Sequence, residues 1–367
     1  MSGPAAFADD PRVVLTLDAG GTNFAFSAIR SGRPIGNPVT LPAEPHDLEA
    51  SLRNMVAGFE MLVDQLDAPP AAISFAFPGP ADYPNGVIFN VGNLPAYRGG
   101  VAVGPMLEER FGLPVFLNND GDLFAYGEAI GGLLPEINET LRAAGSPRRY
   151  RNLIGLTLGT GLGGGIVIDG RLLTGDNSAG GEFWLLRNKL RSDCFAEEGA
   201  SIRAVQAAYA AAAGTADGLS PKEIAAIATG RMPGDQEAAR RAFEMLGEVV
   251  GDVLANVLTL VDGLAVIGGG LANAAPLFLP RVLAELNGTF ASYGGGTIGR
   301  LVQTAYDLDQ PAQRQEFLRG EPREIAVPHS SRTVVTDPGK PVGVAISKLG
   351  AGRAVGIGAY AFALDRL

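Results

Sequence analysis

The chain has 367 residues, 46% of them hydrophobic, enough to bury a sizeable core in two lobes. Its 29 basic side chains against 39 acidic ones leave a formal charge of -10, which argues against the broad basic footprint of a nucleic-acid binder. A single cysteine excludes an internal disulfide, Gly, Pro or charge interrupts each apolar run before membrane-spanning length, and the N-terminus reads as no secretory signal, so a cytoplasmic protein is expected.

Val13–Leu17 reads as a buried strand, and Phe24–Ile29 as its hairpin partner across the turn Asp18-Ala19-Gly20-Gly21-Thr22-Asn23. Helical spacing from His46 to Leu66 puts Leu48, Leu52, Met55, Phe59, Leu62 and Leu66 on one stripe. A strand at Ala72–Ala76 runs into Phe77-Pro78-Gly79-Pro80, where the prolines stop regular pairing. A short helix near Met106–Phe111 leads to a strand at Val115–Leu117, and Asn118-Asn119-Asp120-Gly121-Asp122 opens a helix through Ile130.

After a polar linker over 143–152 the same design returns. Leu153–Leu158 is a strand, Gly159–Gly165 a glycine turn and Ile166–Ile168 the next strand. Helices follow near Ile202–Ala212 and Asp235–Leu260, then the strand Leu264–Ile267 and the run Gly268-Gly269-Gly270. Two strand–glycine turn–strand units make an α/β chain in which each unit begins a lobe. The stretch 304–341 reads as a long insertion.

The glycine turns carry the first chemistry. Without Cβ atoms, Gly20-Gly21 lets the backbone approach a phosphate, Thr22 and Asn23 add polar groups, and Asp18 suits a Mg²⁺ ion or its waters. The alternative is a tight hairpin with a structural Asp. Five glycines in seven residues make Gly159-Thr160-Gly161-Leu162-Gly163-Gly164-Gly165 costly in conformational entropy, which points to function. It matches neither a GxxxxGK[ST] loop nor a GxGxxG turn opening a helix, because a strand follows. Two such turns facing one another would contact successive phosphates of one nucleotide.

Asp120, after a buried strand, is placed to take a proton from an alcohol attacking phosphorus, although capping by Asn118 to Asp122 also explains the run. In Ser178–Ser201, Glu182 and Glu197 are spaced to reach one polyol from two elements, with Trp184 or Phe183 as an apolar wall. The competing reading makes Glu197 and Glu198 solvated helix-start charges and Trp184 core. Zinc needs four ligands, mostly thiolate or imidazole, whereas Cys194 stands alone and the histidines are only His46 and His329; no zinc site is expected.

These pieces, in this order, resemble the ROK family of sugar kinases and repressors. Asp18–Asn23 resembles its first phosphate turn, Phe77-Pro78-Gly79-Pro80 with Gly86 and Asn93-Leu94 its sugar-side loop, and Asn119-Asp120 with Gly127-Glu128 its catalytic segment. Gly159–Gly165 resembles the second phosphate turn, Ala265–Gly270 the strand and glycines beside the adenosine, and Gly356–Leu364 the final helix. The resemblance implies a two-lobed actin-like ATPase (ribonuclease H-like) fold, each lobe a mixed sheet flanked by helices with a ligand cleft between. Residues 1–118 plus 352–367 would form the smaller lobe and 119–351 the larger, with the insertion at about 304–341.

It implies ATP- and Mg²⁺-dependent phosphorylation of a hexose by a homodimer, with Asp120 as base. Glucose is the default substrate, with fructose, mannose, allose or an N-acetylhexosamine as alternatives and a silent sugar sensor or repressor as the rival class. Gly79, Asn93, Asn119, Glu182 and Glu197 would contact sugar, with Trp184 from the residue reading as its apolar wall. Gly20, Gly21, Thr22, Asn23, Gly159, Thr160, Gly161, Gly163, Gly268, Gly269 and Gly270 would hold ATP. Where the family has Gly-His followed by a cysteine-rich zinc knuckle, this chain has Trp184-Leu185 and one Cys. It resembles a zinc-free branch in which Phe183, Leu185 and Leu186 pack as the clamp for Glu197.

Overall fold

The computed structural model describes residues 7, 9–79, 81–89, 92, 94–215 and 218–367. In chain order, β1 (Val13–Ala19), β2 (Asn23–Arg30) and β3 (Arg33–Pro42) precede α1 (Leu48–Val63) and β4 (Ala72–Ala76). The short strands β5 (Ala81–Asp82), β6 (Val87–Ile88) and β7 (Val101–Ala102) lead to α2 (Val103–Phe111), β8 (Val115–Asn118), α3 (Asp120–Gly131) and α4 (Leu133–Ala143). Then come β9 (Leu153–Leu158), β10 (Leu162–Ile168), β11 (Arg171–Leu172), α5 (Ile202–Ala213), α6 (Pro221–Ala228), α7 (Gln236–Val261) and β12 (Leu264–Gly268). The remainder is α8 (Ala275–Leu286), β13 (Thr289–Ala291), β14 (Thr297–Gly299), β15 (Thr304–Asp307), α9 (Pro311–Arg319), β16 (Arg323–Ala326), β17 (Thr333–Thr336), β18 (Pro341–Ile346) and α10 (Ala351–Leu364).

The chain divides into two compact units. The first contains Met1–Pro135, Gly163–Gly181 and Lys348–Leu367; the second contains Glu136–Leu162 and Glu182–Ser347. The division expected at residue 118 falls ahead of α3, whereas contacts group α3 with the first unit. The reason lies in packing: α3 lies against α10 so closely that a Cβ on Gly127 would stand 1.8 Å from the Ala354 carbonyl oxygen. Only glycine permits that crossing.

In the first unit the sheet runs β3-β2-β1-β4-β8. β1 pairs antiparallel with β2 and parallel with β4, which pairs parallel with β8. One face buries a cluster containing Phe26, Phe59, Phe75, Phe77 and Tyr97, and α1 supplies Met55, Phe59 and Leu62 to it. Asp47 caps α1 by accepting from the Ala50 N–H at 3.0 Å, which is why the helix begins at Leu48. β3 was not evident in the sequence. It is a mostly exposed strand at the sheet edge carrying Pro34 and Pro38, so the period-two pattern of a half-buried strand is missing.

In the second unit β9, β12, β18 and β15 lie side by side, all parallel. The 26-residue α7 packs against α8 and α5, burying Phe243, Leu246, Val250, Val253 and Leu254. The stretch expected as an insertion is partly core architecture, because β15 pairs with β18 and places Ala305 and Asp307 inside. Within that stretch, β16 and β17 are the strands with every residue exposed.

The glycine turn also ends earlier than the composition suggests. β10 already begins at Leu162, so Gly163, Gly164 and Gly165 are strand residues. A Cβ on Gly165 would stand 2.7 Å from the Asp122 Cα, and one on Gly121 would stand 2.4 Å from the Gly164 nitrogen. These glycines admit the first turn of α3 against β10. Among the described residues no helix is long and apolar enough to cross a membrane.

Candidate active site

In the first unit, the candidate residues lie at the carboxyl ends of β1, β4 and β8, where open α/β sheets commonly place their sites. At the end of β8 each turn residue holds the next. The Asn119 N–H donates to Asn118 Oδ1 at 2.8 Å, and the Asp122 N–H donates to Asn119 Oδ1 at 2.6 Å. The Gly121 N–H donates to Asp120 Oδ1 at 3.0 Å. Capping is therefore real, and Asn119 performs it, leaving Asp120 as the first residue of α3 with its carboxylate reachable by solvent.

Two influences compete at Asp120. The helix N-terminus and the Gly121 N–H favour its charge, yet the protein crowded around it outweighs them and pushes its pKa up. Asp18, paired with Ala76 of β4 in the sheet register, is also raised, first by burial and then by the like charge of Asp120. Two carboxylates that oppose one another's ionisation form a donor set that a divalent cation would relieve.

This geometry predicts that Asp120 in metal-free protein titrates above the ordinary aspartate value of about 3.9. The like charge acts on Asp18: Asp120→Asn removes it and moves the Asp18 titration to lower pH. Carboxyl-carbon NMR checks both, and an Asp18 titration unmoved by Asp120→Asn would separate the two groups.

Gly20 and Gly21 form the bend between β1 and β2, with Thr22 and Asn23 exposed beside it. The Thr22 carbonyl accepts from the Ala43 N–H at 2.9 Å, fixing the bend to the chain after β3. Gly79 is exposed next to Phe77, whose carbonyl accepts from the Tyr83 hydroxyl at 3.1 Å. Asn93 and Pro80 lie outside the described residues.

In the second unit the register sets Gly268 against Thr157, so the run Gly268-Gly269-Gly270 emerges beside the turn that follows β9. Gly269 has φ 87°, and a Cβ there would meet the Leu158 carbonyl oxygen at 2.3 Å. The turn Gly159-Thr160-Gly161 is closed by the Gly159 N–H donating to the Gly161 carbonyl at 3.0 Å, while Gly159 and Gly270 border open space.

Glu197 is not a solvated helix-start charge. Its Oε2 accepts from the Leu162 N–H at 3.0 Å, and its Oε1 accepts from Arg203 Nη2 at 2.8 Å. A Cβ on Gly161 would collide with Glu197 Oε2 at 2.3 Å, so this glycine admits the carboxylate to the turn. The Ser201 hydroxyl donates to the Glu197 carbonyl at 2.9 Å.

Trp184 is half-exposed rather than core; its indole N–H donates to Glu182 Oε2, and its ring meets Phe195 edge-on at 5.7 Å. The expected apolar clamp needs correction. Phe183 is buried, but Leu185 is 57% exposed and clamps nothing. A hairpin of backbone bonds holds the segment instead, the Asn188 N–H donating to the Cys194 carbonyl and the Ala196 N–H to the Leu186 carbonyl. Buried Asn188 ties its tip by accepting from the Leu190 and Arg191 N–H groups. Among the described residues no group of three or more His, Cys, Asp or Glu is placed to hold a metal.

Sequence reasoning missed Arg203. Neither glycine turn contains a Lys or Arg, but folding brings this guanidinium to one of them, with Nη1 3.5 Å from the Thr160 carbonyl. A signal existed: Arg203 is the second residue of α5, where the helix dipole disfavours a cation. A cavity of about 280 Å³ lined by Glu198, Arg203, Ala204, Gln206 and Ala207 opens beside it.

Comparisons with known proteins place the chain in a family. A family model described as "ROK family" matches residues 14–310. A glucokinase from Parabacteroides distasonis ATCC 8503 has a crystal structure that superposes with a TM-score of 0.88 at 54% identity, covering 98% of this chain and 99% of that one. A ROK hexokinase from Thermus thermophilus shares the fold, with a TM-score of 0.66 at 22% identity over 96% of this chain and 99% of that one. An N-acetyl-D-glucosamine kinase from Escherichia coli O9:H4 (strain HS) is 28% identical over 288 residues, 74% of this chain and 86% of that protein. The α/β architecture is the two-domain actin-like ATPase fold of ROK sugar kinases. With the family match spanning most of its length, this chain belongs to the ROK family.

Proposed function

We propose that the protein is a sugar kinase that transfers the γ-phosphoryl group of ATP to a hexose, with glucose, at its primary hydroxyl, as the first substrate to test. The observation that carries the reading is Asp120, a solvent-reachable carboxylate at the head of α3 with Asp18 as its charged neighbour. Its Oδ1 is held by the Gly121 N–H, which leaves Oδ2 to accept the hydroxyl proton. The sugar oxygen then bonds to phosphorus as the bond to the departing ADP oxygen breaks.

Asp18 would hold Mg²⁺, directly or through water, and the ion when bound supplies positive charge to the phosphate oxygens. Gly20 to Asn23 on the first unit, and Gly159 to Gly161 with Gly269 and Gly270 on the second, offer main chain to phosphates and nucleoside, while Gly268 is buried at the end of β12 and supports the run. Gly163, inside β10, is a weaker contact in this reading. Gly79, Asn93, Asn119, Glu182, Trp184 and Glu197 remain its sugar-side groups. A cytoplasmic homodimer without nucleic-acid or membrane partners completes the reading.

The likeness at 54% identity to a glucokinase favours glucose, while the curated relative at 28% identity acts, by its name, on N-acetyl-D-glucosamine. That relative keeps the N-acetylhexosamine as a second reading. ADP release measured over glucose, N-acetylglucosamine, mannose, fructose and allose with Mg-ATP decides between them. Glucose is expected to give the highest kcat/KM, and turnover with no sugar in the panel would remove the kinase assignment.

A further inference from the structure

We infer that Arg203 is a positioning residue for Glu197, fixing that carboxylate to the glycine turn after β9 and thereby setting sugar affinity. The inference rests on the proposal that Glu197 contacts sugar. Arg203 Nη2 bridges Glu197 Oε1 at 2.8 Å and Glu198 Oε1 at 2.7 Å, while Nη1 lies 3.5 Å from the Thr160 carbonyl. The other oxygen of Glu197 is tied to the Leu162 N–H. The carboxylate is thus pinned on both sides, by a cation and by the turn itself.

No other described contact does this. Leu185 is exposed, and the hairpin fastened by Asn188 is built of bonds that anchor the backbone. Without Arg203 the acid keeps one bond and regains rotamer freedom, which a sugar must then remove on binding. Each pinned oxygen retains a second lone-pair direction for a hydroxyl, so the ion pair orients the acid without consuming it. As a half-exposed bridge it contributes little to stability, which separates positioning from folding.

The test compares Glu197→Gln, Arg203→Gln, Arg203→Lys and the Glu197→Gln/Arg203→Gln double variant in Mg-ATP–dependent ADP release, with glucose varied. Arg203→Gln is expected to raise the KM for glucose about tenfold, the scale of one charge-assisted contact, with kcat within about threefold of the parent. Lysine, which keeps the charge but not the fork, restores part of the affinity. The double variant binds glucose no worse than Glu197→Gln alone, because Arg203 acts through that acid.

If Arg203→Gln leaves KM unchanged while Glu197→Gln raises it, the positioning role is overturned and the sugar contact stands. If Glu197→Gln itself leaves KM unchanged, the sugar assignment of Glu197 falls, and the inference with it. Thermal melting accompanies each variant. Should Arg203→Gln melt far below the parent, a fully additive loss in the folded lysine and double variants would equally overturn the role.

Discussion

Asp120→Asn is expected to fold like the parent, to bind glucose with KM within a few-fold, and to lose about three orders of magnitude in kcat. The magnitude is that of a positioned general base removed from a proton transfer, about 10²–10⁴. Asparagine keeps the shape and can still accept from the Gly121 N–H, so the turn into α3 survives. A kcat within tenfold of the parent, with unchanged melting, would take Asp120 out of the chemistry. A large KM change with little loss of kcat would make it a binding group instead.

The second large effect concerns the scaffold. Gly127→Ala is expected to destabilise the first unit by about 2 kcal/mol and to lower its melting temperature by roughly 4 °C. Two effects oppose one another. Alanine gains about 1 kcal/mol over glycine in helix propensity. Against that, its Cβ would stand 1.8 Å from the Ala354 carbonyl oxygen, which forces α3 and α10 apart and opens a well-packed contact. Overpacking of this kind costs about 1–3 kcal/mol and occasionally more, so the clash wins. Because Asp120 heads the same helix, activity should fall as well. A variant that melts at or above the parent temperature would show that the two helices can separate without loss.

Some of this molecule was written locally. β1, β4, β8, β9 and β12 were legible because each is a short, nearly continuous apolar run, the signature of a strand buried on both faces. α1 was legible from its stripe and from Asp47 as its cap. Asp120 could be singled out because an acid directly after a buried strand needs a reason to be there. The family motifs, in order, pointed to the reaction class.

Other features depend on atoms that meet only after folding. The run Gly159–Gly165 looks like one turn in the sequence, but half of it is strand whose missing Cβ atoms make room for α3. Leu185 belongs to an apolar run yet faces solvent, because a hairpin fastened by main-chain bonds and Asn188 holds its neighbours. The stretch 304–341 lacks strand periodicity, and β15 became sheet only because β18 offered a parallel edge. Arg203 lies 43 residues from Thr160 in the chain and reaches its carbonyl only because α5 starts beside the glycine turn. The sequence by itself determined which residue types and which buried strands this protein has. The tertiary structure decided which glycines serve packing and which border open space, and which cation meets which acid, because those outcomes depend on distances of a few ångströms between segments remote in the chain.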